Sequence, residues 1–471
     1  MRYASRSRID EYRDFVLRGS VITTLLKLGL PPMISNIVFT AYDVLNSIWL
    51  SLYSDVAIAV PRQVFPVAFL FNGIINAMSA AGTSLISQRV GAKMYGYVKK
   101  EFSRLFTATF IFAFFASTIF YVTRPFIFKY IVSTPEEIYG YVLDYSAFTS
   151  LHMVLMSVSM ILGTVISSMG DTRSPSFISA IGVVVNTILD PFFILGIGFF
   201  PRLGVVGSVL TDIIGSLISV LGILYVLYRN FPEVTVSLTR DFSFQWFYLI
   251  IKIGGPIMLM SITNSLAFIT QTRMVNEFGI IIATAFSIGS IFFRLADSAL
   301  WGFSRSMSIT VGQSLGAGYT KRAREIAIKG GLFTAAMVAF TSTILYITRW
   351  QIVLTFTSTY EIATEAVYYV NTILLGLPFF ALFMSGDAVG RGSGQTIIPT
   401  IIGMARLWGI RIGFAYILAF HLGWGPQGIW IGMLVSNIVG GLLMIIWIFS
   451  GKWMKTVIPI EKKDEVGPDK E

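Results

Sequence analysis

The chain contains no cysteine and only two histidines, His152 and His421, in 471 residues. Disulfides and thiolate metal sites are therefore excluded, and a histidine-based metal centre has too few ligands to assemble. Charge is also scarce. Asp, Glu, Lys and Arg make up 13% of the chain, where a soluble domain carries about 25%. With 55% apolar residues and a mean hydropathy of +0.73, the composition reads as a polytopic membrane protein. No cleavable leader is apparent, because the first long apolar stretch is too long for a signal peptide. The loops are short and hold no nucleophile or metal motif, which argues against a membrane-embedded enzyme; no cofactor is expected.

The chain does contain an internal echo. Pro32 is matched by Pro256, and Gln88-Arg89-Val90-Gly91-Ala92 by Gln313-Ser314-Leu315-Gly316-Ala317. Further on, Gly170-Asp171-Thr172 is matched by Gly394-Gln395-Thr396. The three offsets are 224, 225 and 224 residues. Their agreement implies two structurally similar halves, and in an apolar chain such halves build a transporter with a cavity between them.

A hydrocarbon core of about 30 Å needs roughly 20 apolar residues per helix. Apolar runs predict spans near 22–50, 55–85, 103–123, 137–168, 174–199 and 204–229, then 250–276, 279–304, 328–348, 361–388, 396–420 and 427–450. The expected fold is all-α and polytopic: twelve transmembrane helices in two six-helix lobes, related by a pseudo-two-fold axis along the membrane normal. The lobes are expected at residues 1–232 and 247–453, joined by a cytoplasmic linker at 233–246 and followed by a charged cytoplasmic tail at 454–471. With the N-terminus placed in the cytoplasm, 24 Lys/Arg fall on cytoplasmic segments and five on the other face. That bias puts both termini in the cytoplasm and explains the net charge of +10 without nucleic acid. Trp49, Trp350, Trp424, Trp447 and Trp453 lie near span ends and read as interfacial anchors.

Carboxylates inside spans are costly and mark candidate function. Asp43 in the first span and Asp190 in the fifth are the clearest. Asn186 precedes Asp190 by one helical turn, on the same face. Pro191 has no N–H, so it frees the Thr187 carbonyl and marks a kink point. Hard oxygen donors of this kind suit Na⁺ or a proton, with Asp43, Asn186 and Asp190 as the candidate Na⁺ ligands. Thr211 of the sixth span lies at a similar depth, roughly 10–14 Å below the far boundary. Tyr139, Tyr141 and Asp144 enter the fourth span at that level, and Met153 follows one face further along; these four are the candidate substrate cavity. Asp144 and Asp212 read equally well as structural hydrogen bonders. The second half does not copy this chemistry: Ala267 stands opposite Asp43 and Phe414 opposite Asp190. Its spans carry arginines instead, and Arg294 and Asp297 are spaced to form an internal ion pair.

These residues together resemble the multidrug and toxic compound extrusion (MATE) transporters over nearly the whole chain, in particular the archaeal and DinF-like branch. The resemblance rests on the two-lobe plan, the paired segments at Gly82–Gly91 and Ile309–Gly318, Met169-Gly170-Asp171-Thr172, and the Gly204–Thr211 run. It implies a cation-coupled antiporter with a central cavity, exporting organic, cationic and amphipathic compounds from the cell membrane by alternating access. It also implies that Asp43, Asn186, Asp190 and Thr211 take up the coupling ion, H⁺ or Na⁺. No acid occurs in the seventh span before Glu277, which departs from the NorM branch. A monomer is sufficient for such a cavity. The alternative is a flippase for lipid-linked saccharides, which would use Arg294, Arg406 and Arg411 to hold phosphate.

Overall fold

Long apolar runs with few breaks fold into helices because, inside a bilayer, each backbone polar group must be satisfied within its own segment. The computed structural model describes residues 7–458. A short helix α1 (Arg8–Arg18) precedes the spans. The first lobe follows as α2 (Val21–Tyr53), α3 (Ala59–Gly91), α4 (Tyr95–Phe126), α5 (Glu136–Ser168), α6 (Arg173–Leu195) and α7 (Val205–Asn230). The second lobe contains α8 (Phe244–Asn276), α9 (Ile280–Gly316), α10 (Thr320–Leu354), α11 (Tyr360–Ser393), α12 (Ile397–Met404) and α13 (Pro426–Ser450). α4 ends in a π-helical turn at Ile127–Ile131, and α12 continues as π-helix over Ala405–Phe414 and Ile417–His421. Counting each π extension with its helix, twelve helices among the described residues are long and apolar enough to cross a membrane. The protein is an all-α, multi-pass membrane protein of two pseudo-symmetric lobes.

Several helices outrun the predicted spans. α9 extends to Gly316 rather than 304, so Arg305 is part of a membrane helix and not of a basic loop. The expected linker is shorter as well. Its last residues form the first turn of α8, where Ser243 Oγ accepts from the Trp246 backbone N–H at 3.2 Å. The rest lies docked against α4: Asp241 accepts from Arg104 Nη2 at 2.8 Å and Lys100 Nζ lies 2.7 Å from its other oxygen, while Trp246 Nε1 donates to the buried Glu101 at 2.7 Å. Those two bonds hold the Asp241 carboxyl below the usual range, Lys100 contributing most. Trp447 and Trp453 are buried and pack on each other, so neither sits at a lipid boundary; Trp453 Nε1 donates to the Ile448 carbonyl at 2.9 Å. Most of the expected tail, residues 459–471, lies outside the described residues.

The repeated motifs have a repeated job. Gln88 Nε2 donates to the Gly392 carbonyl at 3.0 Å, and Gln313 Nε2 donates to the Ser168 carbonyl at 2.9 Å. Each glutamine thus crosses to the other lobe and caps the end of α11 or α5. Between them, a Cβ on Gly91 would strike the Gln313 carbonyl and one on Gly316 would strike the Gln88 carbonyl, so only glycine permits this approach. The threonines of the two Gly-x-Thr turns act within their own lobes. Thr172 Oγ1 donates to the Leu28 carbonyl at 2.7 Å and Thr396 Oγ1 to the Ile253 carbonyl at 2.8 Å, beside Pro32 and Pro256 respectively.

These bonds lie at the face that carries α1 and the end of α13, called here the near face. The lobes also meet further in, where Asn36 Nδ2 donates to the Ser298 carbonyl at 3.3 Å and Gly73 packs on Ser261. Thr40 Oγ1 also lies 3.3 Å from Ser298 Oγ, and beyond that level α2, α3, α8 and α9 make no hydrogen bonds across the lobes among the described residues. Hydrogen bonds between the lobes thus concentrate toward the near face. α1 straps that side: Arg13 Nε donates to the Gly91 carbonyl at 2.9 Å, and Arg322 of the second lobe donates to the Gly19 carbonyl.

Candidate functional site

α6 and α7 pack closely because Gly182 and Gly215 face each other: a Cβ on either would meet the other's carbonyl oxygen. This approach brings the polar residues of the two helices into contact. Thr211 Oγ1 donates to Asp190 Oδ1 at 2.5 Å, with both residues fully buried. One turn earlier on α6, Asn186 Nδ2 donates to Asp212 Oδ1 at 2.6 Å, and Tyr42 of α2 donates to the same oxygen at 2.9 Å. Two acceptors in this cluster remain without a donor, Asn186 Oδ1 and Asp190 Oδ2, and both are buried. Pro191 sits near the end of α6, which runs unbroken to Leu195. It has no N–H to give to the Thr187 carbonyl one turn earlier.

The cluster adjoins a cavity of about 640 Å³ inside the first lobe, whose wall includes Asp43, Asn186, Asp212, Met153 and the His152–Ser216 pair. His152 Nε2 lies 2.9 Å from Ser216 Oγ. Asn186, Asp190 and Thr211 are therefore brought together with one another. Asp43 is on the cavity wall, but its carboxylate makes no hydrogen bond or ion pair among the described residues. Of the expected Na⁺ set, Asp43 and Asn186 share the cavity wall, and Asp212 is the acid that bonds Asn186. Among the described residues, no three His, Cys, Asp or Glu side chains come close enough to hold a metal ion.

Met153 is the one member of the expected substrate cavity that lines this space. Tyr139 is half-buried and donates to the Pro125 carbonyl at 3.2 Å, and Tyr141 and Asp144 are exposed. For Tyr139 and Asp144 the reason is helical phase, since Tyr145, Thr149 and His152 share the inward face of α5 and these two fall off it; Tyr141 shares that phase but lies one turn beyond Tyr145, outside the cavity lining. The facing direction of a residue on α5 is not given by its depth in the span. Arg294 and Asp297 form no ion pair within 4.0 Å. Asp297 Oδ2 instead accepts from Trp301 Nε1 at 3.1 Å, one turn along α9.

Sequence reasoning also missed Arg305. It lines both the first cavity and a second of about 400 Å³ between the lobes, and Nη2 donates to Thr164 Oγ1 of the first lobe at 3.2 Å. The usable signal was the unbroken helical pattern of α9 continuing past residue 304.

The second lobe has no counterpart to the acid cluster. Gly204 and Gly425 cap α7 and α13 with left-handed φ of 57° and 61°. Counting seven residues on from each cap matches Thr211 with Gly432, and Gly432 lies against Ala415 rather than against an acid.

Comparison with known proteins agrees with this architecture. The MatE family model matches twice, over residues 31–192 and 256–417, which together make up more than half of the chain. The chain is 24% identical over 452 residues to the "Probable multidrug resistance protein YoeA" of Bacillus subtilis, covering 94% of this chain and 96% of that one. It is 24% identical over 454 residues to the "Probable multidrug resistance protein NorM" of Thermotoga maritima, with the same coverage of 94% and 96%. The crystal structure of the Vibrio cholerae MATE transporter VcmN superposes with a TM-score of 0.85 at 20% identity, covering 94% of this chain and 99% of that one. The doubled family match falls on the two lobes, and on that ground the chain belongs to the MATE family of multidrug transporters.

Proposed function

We propose that this protein is a cation-coupled antiporter, driven by H⁺ or Na⁺, that exports organic compounds, cationic and amphipathic in character, across the cell membrane. The reading rests on one observation above all: two buried oxygen acceptors one helical turn apart, Asn186 Oδ1 and Asp190 Oδ2, have no donor. A buried acceptor without a donor is costly, and a proton or a small hard cation satisfies both atoms. Asp212 and Asp43 extend the same negative field to the cavity wall, where a cationic solute competes with the coupling ion. Each ligand then shifts the lobes only by its difference in affinity between the two conformations.

On this reading the termini are cytoplasmic, and the pinned near face makes this the outward-open state. Uptake of the coupling ion from outside draws α6 and α7 together and disfavours bound solute. The first lobe ends near residue 232, the second opens with α8 at Phe244, and one chain suffices. We assign the chain to the archaeal and DinF-like branch because its polar set is in the first lobe and α8 carries no acid. The flippase alternative gains no support from the two relatives named above, which carry drug-resistance names.

The test is dye efflux from proteoliposomes with pH and Na⁺ gradients imposed separately. One gradient should drive efflux by the native chain, and Asp190→Asn should abolish it while the protein remains folded. Undiminished gradient-driven efflux by the Asp43→Asn/Asp190→Asn double variant would refute the coupling role.

A further inference from the structure

The second lobe holds the opposite kind of cluster where its helix pair repeats α6 and α7. The threonine turns at 172 and 396 set a register of 224 residues between α6 and α12, and the cap glycines at 204 and 425 set one of 221 between α7 and α13. In these registers Gly182 and Gly215 become Arg406 and Ser436, while Ser216 becomes Asn437. The packing agrees: Ser436 Oγ donates to the Arg406 carbonyl at 2.9 Å, at the contact where Gly182 meets Gly215. His152, the partner of Ser216, becomes Gly376, against which Asn437 lies. A guanidinium and an amide thus fill the place that helps form the cavity in the first lobe.

Arg406 Nη1 donates to Asn437 Oδ1 at 3.3 Å, and Arg411 Nη2 donates to the same oxygen at 3.1 Å. Arg406 is 3% exposed and Asn437 fully buried, while Arg411 is partly exposed. Among the described residues no carboxylate lies within 4.0 Å of either guanidinium; Asp387, on the neighbouring α11, is committed to Arg391 at 2.7 Å. Arg406 lies over the Phe383 ring at 4.0 Å, which compensates only part of its lost hydration. Arg406 Nε, Arg411 Nε and Asn437 Nδ2 are all buried donors without an acceptor. The first lobe's cluster leaves two acceptors unpaired, and the second lobe's cluster leaves three donors unpaired.

Both arginines come from Ala405–Phe414, the ten-residue π stretch that continues α12. A π-helix shifts the side-chain phase, and such segments concentrate at functional sites. Here it carries residues five apart, which α-helical phase would separate, to one shared oxygen.

We propose that Arg406, Arg411 and Asn437 form an oxyanion-binding site in the second lobe, for a carboxylate or a phosphate. Two planar guanidinium forks converging on one point match the oxygens of such a group. The partly exposed Arg411 is its entrance, and Asn437 Nδ2 supplies a further donor. This inference does not depend on ion coupling in the first lobe.

The test uses the purified full chain in detergent at fixed ionic strength. Thermal unfolding is followed against inorganic phosphate and against benzoate, with chloride as the reference ion. A ligand that binds only the folded state raises Tm saturably. Phosphate or benzoate should do so and chloride should not; response to phosphate alone marks a free inorganic ion, and response to benzoate marks the carboxylate of an organic molecule. Asn437→Asp places a carboxylate between the two arginines. This variant should have a higher Tm without added anion and at least a tenfold weaker response to it. Arg411→Gln should lose the response too, and decides the matter if Asn437→Asp does not fold. An equal response in native and variant proteins, no saturable response, or an equal effect of chloride would overturn the proposal.

Discussion

The glutamine pair at the near face permits a direct test of what holds the lobes together. Gln88 and Gln313 are fully buried, and each gives one amide N–H to a helix-end carbonyl of the opposite lobe, at 3.0 and 2.9 Å. Truncation to alanine leaves the Gly392 or the Ser168 carbonyl buried without that donor as long as the near face is closed. Once it opens, water can reach the carbonyl, so the cost falls on the closed state alone. Each lost bond should therefore cost that state about 1–3 kcal/mol. That corresponds to a shift of about 5- to 150-fold per substitution toward the near-face-open form. Because the chain has no cysteine, a spin-label pair can be introduced without background. Lys99 and Arg324 are exposed just past the two repeated motifs, 225 residues apart, and suit the purpose. Electron–electron distance measurement should give one short population in the native background. A longer population should appear in Gln313→Ala and dominate in Gln88→Ala/Gln313→Ala. Unchanged distances in the double variant, with the protein folded, would refute the view that these bonds set the closed state.

Three further outcomes follow from the same geometry. Thr172→Val and Thr396→Val remove equivalent buried bonds, so each should destabilise its lobe by about 1–3 kcal/mol in chemical unfolding; a large inequality would mean the lobes are equivalent in backbone only. Asp212→Asn should reduce dye efflux at least tenfold, whereas Asp144→Asn, on the exposed side of α5, should leave it unchanged; the reverse result would misplace the site. Asp241 is held below its ordinary pKa by Lys100 and Arg104, so its contribution is complete above the unfolded value near 3.9 and is lost as pH falls through the lower folded value. Unfolding profiles of native protein and Asp241→Asn should accordingly differ at neutral pH and converge in acid, and a constant gap down to pH 2 would contradict this account.

The sequence by itself determined the helices and their duplication, because both depend on local information. Apolar length sets the number of spans, and the echoed Gln, Gly and Thr residues reappear as paired bonds at matching places in the two lobes. The loss of acids from the second half was also legible, by comparing the chain with itself. Asp190, Asn186 and Thr211 could be nominated because a buried carboxylate beside a proline is unusual at any position. Other features required the tertiary structure. Asp212 entered the site, and Asp144 left it, through helical phase, which a depth argument does not specify. Arg305 became a cavity residue because α9 continued past the expected end of its span. Arg294 and Asp297 had the right spacing for an ion pair, but Trp301 lies one turn further along α9 and takes the carboxylate. The convergence of Arg406 and Arg411 was the least legible feature, since it depends on a π-helical phase that no local spacing rule anticipates. Spacing along one helix decides which residues are available; the rotation of each helix against its neighbours decides which of them meet.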